Sequence, residues 1–136
     1  MQPFHYSFKM KDHASTRDFY GRILGSVEGR SNDTWLDFDF FGHQITAHLS
    51  DNFPELDYCG VVDGVAVPIP HFGVVLPLSD YLTVKEALMK NNYPFVVKPY
   101  VRYEGKREQQ HTLFIIDPSG NPLEFKSYSG VEEDFI

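Results

Sequence analysis

Four side chains that can bind a divalent metal ion stand out in the sequence: the imidazoles of His5, His48 and His71 and the carboxylate of Glu124. Each lies in a stretch where apolar and polar residues alternate, which predicts a strand with one buried face. The chain neighbours of all four are apolar, so we expect the four polar groups to project from the faces opposite the core. Two neutral imidazoles and a carboxylate on one side of an ion suit Fe²⁺, Mn²⁺, Zn²⁺ or Ni²⁺ and leave coordination positions for a substrate.

The elements predicted around these residues occur in the same order in the two halves of the chain. The first half has a strand that begins near His5, a helix, and further strands, the last of which carries His48. The second half repeats this order from His71 and carries Glu124 on its last strand, at the place expected to match His48. We therefore predict an α+β fold in which two βαβββ units form curved mixed sheets around a metal-binding cleft, with the helices on the outside.

The whole chain of 136 residues is predicted to form a single domain. The first unit spans about residues 3–50 and the second about 71–128. Residues 51–70 are rich in Asp, Pro and Gly, which predicts a connector between the units. The acidic tail, 129–136, is expected to be loose or to pack on a neighbouring molecule.

One helix is predicted in each unit. The first begins at an Asp12 N-cap and ends before Gly25. The second has Ser79 or Asp80 as its N-cap and ends near Asn91. Four apolar residues are predicted to form the buried side of this second helix: Leu82, Ala87, Leu88 and Met89.

The charge balance excludes some classes of partner. Lys and Arg number 12 against 19 Asp and Glu, a formal net charge of −7, so we expect no nucleic-acid binding. A local basic group forms either a solvated loop or a rim that attracts an anionic substrate: Lys98, Arg102, Lys106 and Arg107. The single cysteine allows no internal disulfide. The first residues contain neither a long apolar run nor a cleavage site, so we expect a cytoplasmic protein that does not bind membranes.

Three stretches of the sequence carry a family resemblance: HYSFKMKD followed five residues later by DFYGRILG, then PHFGVVL, then DPSGNPLEFKSY. Together they resemble the vicinal-oxygen-chelate superfamily, which includes glyoxalase I, fosfomycin-resistance proteins and extradiol ring-cleaving dioxygenases. The resemblance covers about residues 3–128. The stretch DTWLDFDFFGHQITAHLS, with PHFGVVL and PYVRYEG, is most similar to a branch described as predicted extradiol-type dioxygenases.

By position, the resemblance implies that His5, His71 and Glu124 bind one divalent metal, with Fe²⁺ the first choice. Bacterial glyoxalase I has a fourth ligand, a glutamate, on the strand where this chain has His48. If His48 also binds the metal, isomerase or addition chemistry is favoured, because fewer positions stay open for substrates. If it does not, His48 is a candidate general acid–base. The resemblance also implies a homodimer, whose units pair either within one chain or across two.

Three functions follow from this resemblance. The first is an enzyme that binds the vicinal oxygens of a small molecule through its metal, similar to the extradiol dioxygenases. The second is a glyoxalase-like isomerase or lyase, or a thiol transferase. The third is a metal-free module that only binds a small molecule.

Four further residues are candidates for contact with the substrate. Tyr100 and Arg102 are predicted catalytic residues, and Tyr103 is predicted to bind substrate beside them. The three side chains would hydrogen-bond an oxyanion or hold a substrate carboxylate. The alternative is that all three are ordinary polar residues at the edge of a sheet and have no role in the site. His111 is predicted to point into the cleft beside Glu124 and to bind substrate there or support a metal ligand.

Overall fold

The computed structural model of the chain describes residues 2–128. Ten strands occur in this part of the chain: β1 (His5–Met10), β2 (Val27–Ser31), β3 (Trp35–Phe40), β4 (His43–Leu49), β5 (Gly60–Val62), β6 (Val65–Val67), β7 (Phe72–Val75), β8 (Val97–Arg102), β9 (Gln110–Ile116) and β10 (Pro122–Tyr128). The helical segments are α1 (His13–Thr16), which continues as a π-helix over Arg17–Ile23, and α2 (Leu78–Lys90). The predicted tail, 129–136, lies outside the described residues. No helix within 2–128 is long and apolar enough to cross a membrane.

The chain divides into two compact units. The first contains the residues up to Glu55 together with Asp117–Asn121, and the second contains Leu56–Ile116 and the residues from Pro122 on. Their sheets have the strand orders β1-β4-β3-β2 and β7-β10-β9-β8. In each of these sheets the strands that come first and last in the sequence, β1 with β4 and β7 with β10, pair in parallel, and the other pairs are antiparallel. The predicted α+β fold of two βαβββ units is confirmed, and β5 and β6 add a hairpin inside the segment predicted as a connector.

The registers of the parallel strand pairs show which residues of the two units correspond. When the units are aligned on His5 and His71, Thr46 takes the position of Glu124. The prediction that His48 matches Glu124 is therefore wrong, because His48 lies two residues further along β4. Residues i and i+2 of a strand share a face, so the alternating pattern alone cannot distinguish these two positions.

The helical segment of the first unit follows its local sequence signals at both ends. The Asp12 carboxylate accepts a hydrogen bond from the Ser15 backbone N–H at 2.6 Å, and Gly25 follows the helix with φ +76°. Between these ends most of the segment is π-helical. Phe19 and Tyr20 are completely buried in it, with ring centroids 4.7 Å apart in an edge-to-face arrangement. The predicted N-cap is confirmed, whereas the π winding has no signal in the sequence.

The second helix differs from its prediction at its start and on its buried side. α2 begins at Leu78 after Pro77, and no side chain caps it, so the predicted N-cap at Ser79 or Asp80 is wrong. Three residues at helical spacing form its buried stripe: Tyr81, Val84 and Leu88. Leu82 and Met89, predicted to be buried, are 39% and 56% exposed.

The Asp117 carboxylate holds a polar turn in the first unit. It is 5% exposed and accepts hydrogen bonds from the backbone N–H groups of Ser119 and Asn121, each at 2.8 Å. Its second oxygen accepts from the Tyr20 hydroxyl at 2.7 Å and from the Asn121 side chain at 2.9 Å. Asn121 also donates to the Lys9 carbonyl at 2.8 Å. Asp117 thus connects the turn to the helix, and Asn121 connects it to the first strand of the unit.

We expect Asp117→Ala to destabilise the fold by about 2–4 kcal/mol, because several buried donors lose their acceptor together. Urea unfolding followed by circular dichroism measures this change. Asp33→Ala is the matched control, since Asp33 is exposed in a turn, and it should change the free energy of unfolding by less than about 0.5 kcal/mol. Equal unfolding midpoints for the two variants would contradict the role given to Asp117.

Candidate metal centre

His71 and Glu124 meet on one face of the second sheet. His71 directly precedes β7, and Glu124 lies in β10, the strand that pairs with β7 in parallel. The His71 Nε2 atom lies 3.0 Å from Glu124 Oε2, and the two side chains are 21% and 11% exposed. The structure therefore brings together two of the predicted ligands as a partly buried pair.

The orientation of the His71 ring is fixed from two sides. Its Nδ1 atom lies 2.7 Å from the Pro68 carbonyl oxygen, and because a carbonyl only accepts, Nδ1 carries a hydrogen. The ring also packs edge-to-face against Phe114, with centroids 4.9 Å apart. The Nε2 atom is thereby aimed at Glu124. This is the usual support of a histidine ligand, whose second nitrogen is held by a neighbouring acceptor.

Glu124 is oriented by two residues that the sequence analysis missed. Its Oε1 atom accepts a hydrogen bond from the Thr112 hydroxyl at 2.9 Å and lies 3.3 Å from the Lys126 ammonium. Oε2 is left to face His71. Lys126 had a signal in the sequence, since it is two residues from Glu124 and so shares its face of the strand. The contact with Thr112 depends on the pairing of β9 with β10, which the sequence pattern does not fix.

Close packing of β7 against β10 requires a glycine beside the pair. Gly73 lies opposite Glu124, and a Cβ atom built on Gly73 would fall 1.6 Å from the Glu124 carbonyl oxygen. A glycine inside a strand pattern often marks such a close backbone approach, so PHFGVVL contained this signal. A pocket of about 220 Å³ opens here, and seven residues line it: His71, Phe72, Gly73, Val74, Val75, Glu124 and Lys126.

The charges of the pair shift both pKa values. The hydrogen bond with Glu124 raises the pKa of His71, and this outweighs the effect of burial. Burial acts to raise the pKa of Glu124, yet hydrogen bonds from His71 and Thr112 and the charge of Lys126 hold it below its usual range. In the absence of metal both shifts favour the charged forms of the pair, an imidazolium beside a carboxylate, over the neutral forms. A metal ion would have to displace the Nε2 proton, so metal affinity should fall in acid.

The donor atoms present fit a divalent ion but supply only part of its ligand set. Two ligands about 2.1 Å from an octahedral ion and at right angles to each other lie about 3.0 Å apart, which is the separation of Nε2 and Oε2. An imidazole and a carboxylate suit the ions predicted from the sequence. Within residues 2–128, however, no three His, Cys, Asp or Glu side chains are grouped so that they could hold a metal.

The two predicted metal ligands of the first unit are both exposed and lie apart on their sheet. The His5 Nε2 atom is 3.2 Å from the Ser7 hydroxyl, at the start of β1. His48 is opposite Lys9 in the register of β1 and β4. Four residues along a strand span about 13 Å, so the sheet does not bring these two histidines together.

Tyr100 and Arg102, the predicted catalytic residues of β8, both contact Asp63 in the turn of the β5–β6 hairpin. The Asp63 carboxylate lies 2.6 Å from Arg102 Nε and accepts from the Tyr100 hydroxyl at 3.1 Å. Arg102 also donates to the Tyr103 hydroxyl at 3.1 Å and lies over the Tyr103 ring. A substrate anion would therefore compete with Asp63 for this arginine.

His111 points away from Glu124. Its ring is 5.6 Å from that of Tyr81 on α2, whereas its neighbour Thr112 donates to Glu124. The expectation that His111 lies beside Glu124 is not met, because adjacent residues of a strand face opposite sides of the sheet.

Solved structures similar to this chain share its fold. A glyoxalase/bleomycin resistance protein/dioxygenase from Alicyclobacillus acidocaldarius is 32% identical, with a TM-score of 0.77 over 95% of this chain and 92% of that one. A fosfomycin resistance protein from Listeria monocytogenes is 16% identical, with a TM-score of 0.70 over 98% and 96%. A glyoxalase/dioxygenase from Nostoc punctiforme is 14% identical, with a TM-score of 0.70 over 95% and 92%. No protein-family model matches the sequence, and no curated protein does.

The ion pair predicts a pH-dependent stability of the metal-free protein. Because the folded pKa of Glu124 is lowered and that of His71 is raised, the stabilisation is fully present between the ordinary values of 4.5 and 6.5. It is lost as pH falls through the lowered pKa of Glu124, and as pH rises through the raised pKa of His71. We expect Glu124→Gln to cost about 1–3 kcal/mol at about pH 5.5 and less in alkali.

Thermal melts in chelator from about pH 5 to about pH 9 measure this difference. Glu86→Gln is the control, since Glu86 is exposed on α2, and its melting temperature should follow that of the parent at every pH. A Glu124→Gln curve parallel to the parent curve across the range would show that the pair does not stabilise the fold.

Proposed function

The chain belongs to the vicinal-oxygen-chelate superfamily of glyoxalases, bleomycin resistance proteins and dioxygenases, and we propose that it is a metal-dependent enzyme acting on a small molecule with two vicinal oxygens. The observation that carries the proposal is the His71–Glu124 pair, with Nε2 and Oε2 3.0 Å apart. The remaining polar atoms of both side chains are already engaged by neighbours. Such support holds both donor atoms ready for an ion at little further cost in conformational entropy.

We propose His5 as the third ligand of this metal. His5 begins β1, and His71 directly precedes β7, the strand of the second sheet that pairs in parallel as β1 does in the first; His5 is exposed. Under this proposal it would come from the first unit of the same chain or of a second copy. In a homodimer the second arrangement would give two equivalent centres, each completed by both chains.

Among the reactions of the superfamily, we favour extradiol-type dioxygenase chemistry with Fe²⁺. The supporting observation is Thr46, which takes the position of Glu124 in the first unit and donates its hydroxyl hydrogen to Asp37 at 2.6 Å. The position of the first unit that corresponds to Glu124 therefore carries no carboxylate that could be a fourth ligand. The Thr46 hydroxyl already donates to Asp37 and is a poor metal ligand. A three-ligand centre keeps more positions open for substrates than the four-ligand glyoxalase type.

The bound ion would act as a Lewis acid towards the chelated oxygens. The chain's own residues would then have separate tasks. His71 would remain neutral and oriented by Pro68, and Thr112 would hold the Glu124 carboxylate in position. His48 is exposed at the end of β4 and is the proposed general acid–base.

Metal analysis of protein purified without oxygen tests the proposed centre. We expect about one Fe²⁺ per chain in the parent and in His48→Ala, and at least about a tenfold loss of affinity in Glu124→Ala, which removes a ligand. Glu86→Ala is the matched control and should retain the ion. Thermal melts of all four proteins distinguish the loss of a ligand from the loss of the fold.

The other outcomes identify the alternatives. Zinc or nickel that depends on both His48 and Glu124 would indicate a glyoxalase-like isomerase, a lyase or a thiol transferase. A parent that takes up no divalent metal on reconstitution, yet binds a small molecule tightly, would be a metal-free binding module and would overturn the proposal.

A mixing experiment tests whether two chains share a centre. His5→Ala and Glu124→Ala should each bind little metal alone. If centres are shared, a dimer formed from one chain of each variant contains one intact centre and one that lacks both ligands. Metal binding should therefore return when the variants are unfolded together and refolded. A mixture that binds no more metal than the separate variants would place His5, His71 and Glu124 in one chain.

A further inference from the structure

Lys126 is a cation in the candidate site to which the preceding proposal gives no task. It lies two residues from Glu124 on β10, and its ammonium is 3.3 Å from Glu124 Oε1. It lines the same pocket as His71 and Glu124. Of the seven described residues that line this pocket, Lys126 is the one that carries a fixed positive charge.

The contact with Glu124 leaves Lys126 open to a ligand. Its side chain is 29% exposed, compared with 11% for Glu124. The ammonium group has three donors, and Oε1 of Glu124 also accepts the hydrogen bond of Thr112. Lys126 therefore lines the pocket with ammonium donors that the contact with Glu124 does not use. In the first unit the residue that corresponds to Lys126 is His48, so a fixed positive charge occurs at this position in the second unit and not in the first.

The charge balance of the pocket points to an anionic partner for Lys126. In the metal-free protein the fixed charge of Lys126 lies against the Glu124 carboxylate, 3.3 Å from Oε1. A divalent ion held by Glu124 would draw on the same negative charge, and the pocket would then carry a positive excess. A partly desolvated excess of this kind favours the binding of an anion.

We propose that Lys126 binds an anionic substituent of the substrate, so that the substrate is a small molecule that carries a carboxylate in addition to its chelating oxygens. This inference rests on the proposed function. The inference assigns recognition of the carboxylate to one side chain inside the pocket. It therefore differs from the predicted attraction of an anionic substrate by a rim of basic residues. Lys126 would act as a specificity-determining residue, and Glu124 would remain the metal ligand.

Two probes that differ by one carboxylate test the proposal on metal-loaded protein. They are 1,2-dihydroxybenzene and 3,4-dihydroxybenzoate, and calorimetry without oxygen gives the Kd of each. The measured quantity is the ratio of the two Kd values, compared between the parent and each variant. This comparison cancels both the intrinsic difference between the probes and any loss of affinity common to them.

We expect Lys126→Met to reduce the preference for the carboxylated probe by about tenfold or more, because a charge-assisted contact is lost. Lys126→Arg should keep most of the preference. Lys98→Met, the matched control on the exposed side of β8, should keep all of it. The metal content of each protein is measured beside the Kd values.

The outcomes separate this inference from the proposed function. Equal weakening of both probes in Lys126→Met would overturn the inference and leave the metal-chelating enzyme intact. A change of the ratio in Lys98→Met instead of Lys126→Met would assign recognition to the basic rim and also overturn it. A metal-loaded parent that binds neither probe would count against the proposed function itself, and the inference would fall with it.

Discussion

The parallel pairing of β7 with β10 fixes where the two donor atoms of the candidate centre meet. His71 and Glu124 are far apart in sequence, and only this register puts an imidazole at the end of one strand beside a carboxylate in the middle of the next. The pairing in turn depends on Gly73, because any side chain there would overlap the backbone of Glu124. A backbone constraint is therefore the source of the side-chain geometry. The hydrogen bonds of Pro68 and Thr112 refine this geometry but do not create it.

The same scaffold carries different chemistry in its two units. In the first unit, Thr46 occupies the place of Glu124, and its hydroxyl donates to Asp37 on the neighbouring strand. In the second unit, the place of Asp37 is taken by Phe114, which packs against the ring of His71. The first unit thus ties its polar groups to one another, whereas the second turns a carboxylate and an imidazole towards a pocket. The two units share the same strand positions, and the residues at a few of these positions determine that the imidazole–carboxylate pair occurs in the second unit.

The sequence predicts the strands and the duplicated order well, because alternation and turn residues act locally. It also points to His71 and Glu124 by their residue types, and the structure places their Nε2 and Oε2 atoms 3.0 Å apart. Their role as metal ligands stays a prediction. The sequence pattern fails where two positions satisfy it equally, as with His48 and Thr46, because only the register separates them. The buried side of α2 is a similar case, since several stripes of that helix contain apolar residues and tertiary packing selects one. The β5–β6 hairpin had a local signal in Asp63-Gly64, where both residues have positive φ as hairpin turns of this kind require.

The β5–β6 hairpin shows why the segment between the repeated units matters to the site. Val67 of this hairpin is buried with Val97 and Phe114 in one apolar cluster, and Phe114 is the residue that packs against the His71 ring. At the other end of the hairpin, Asp63 holds Arg102. Packing and charge therefore attach the hairpin to β8 and β9, and Phe114 of this layer packs against the His71 ring. A segment that joins two units needs no such attachments, so we interpret this one as part of the structure that holds the imidazole in place.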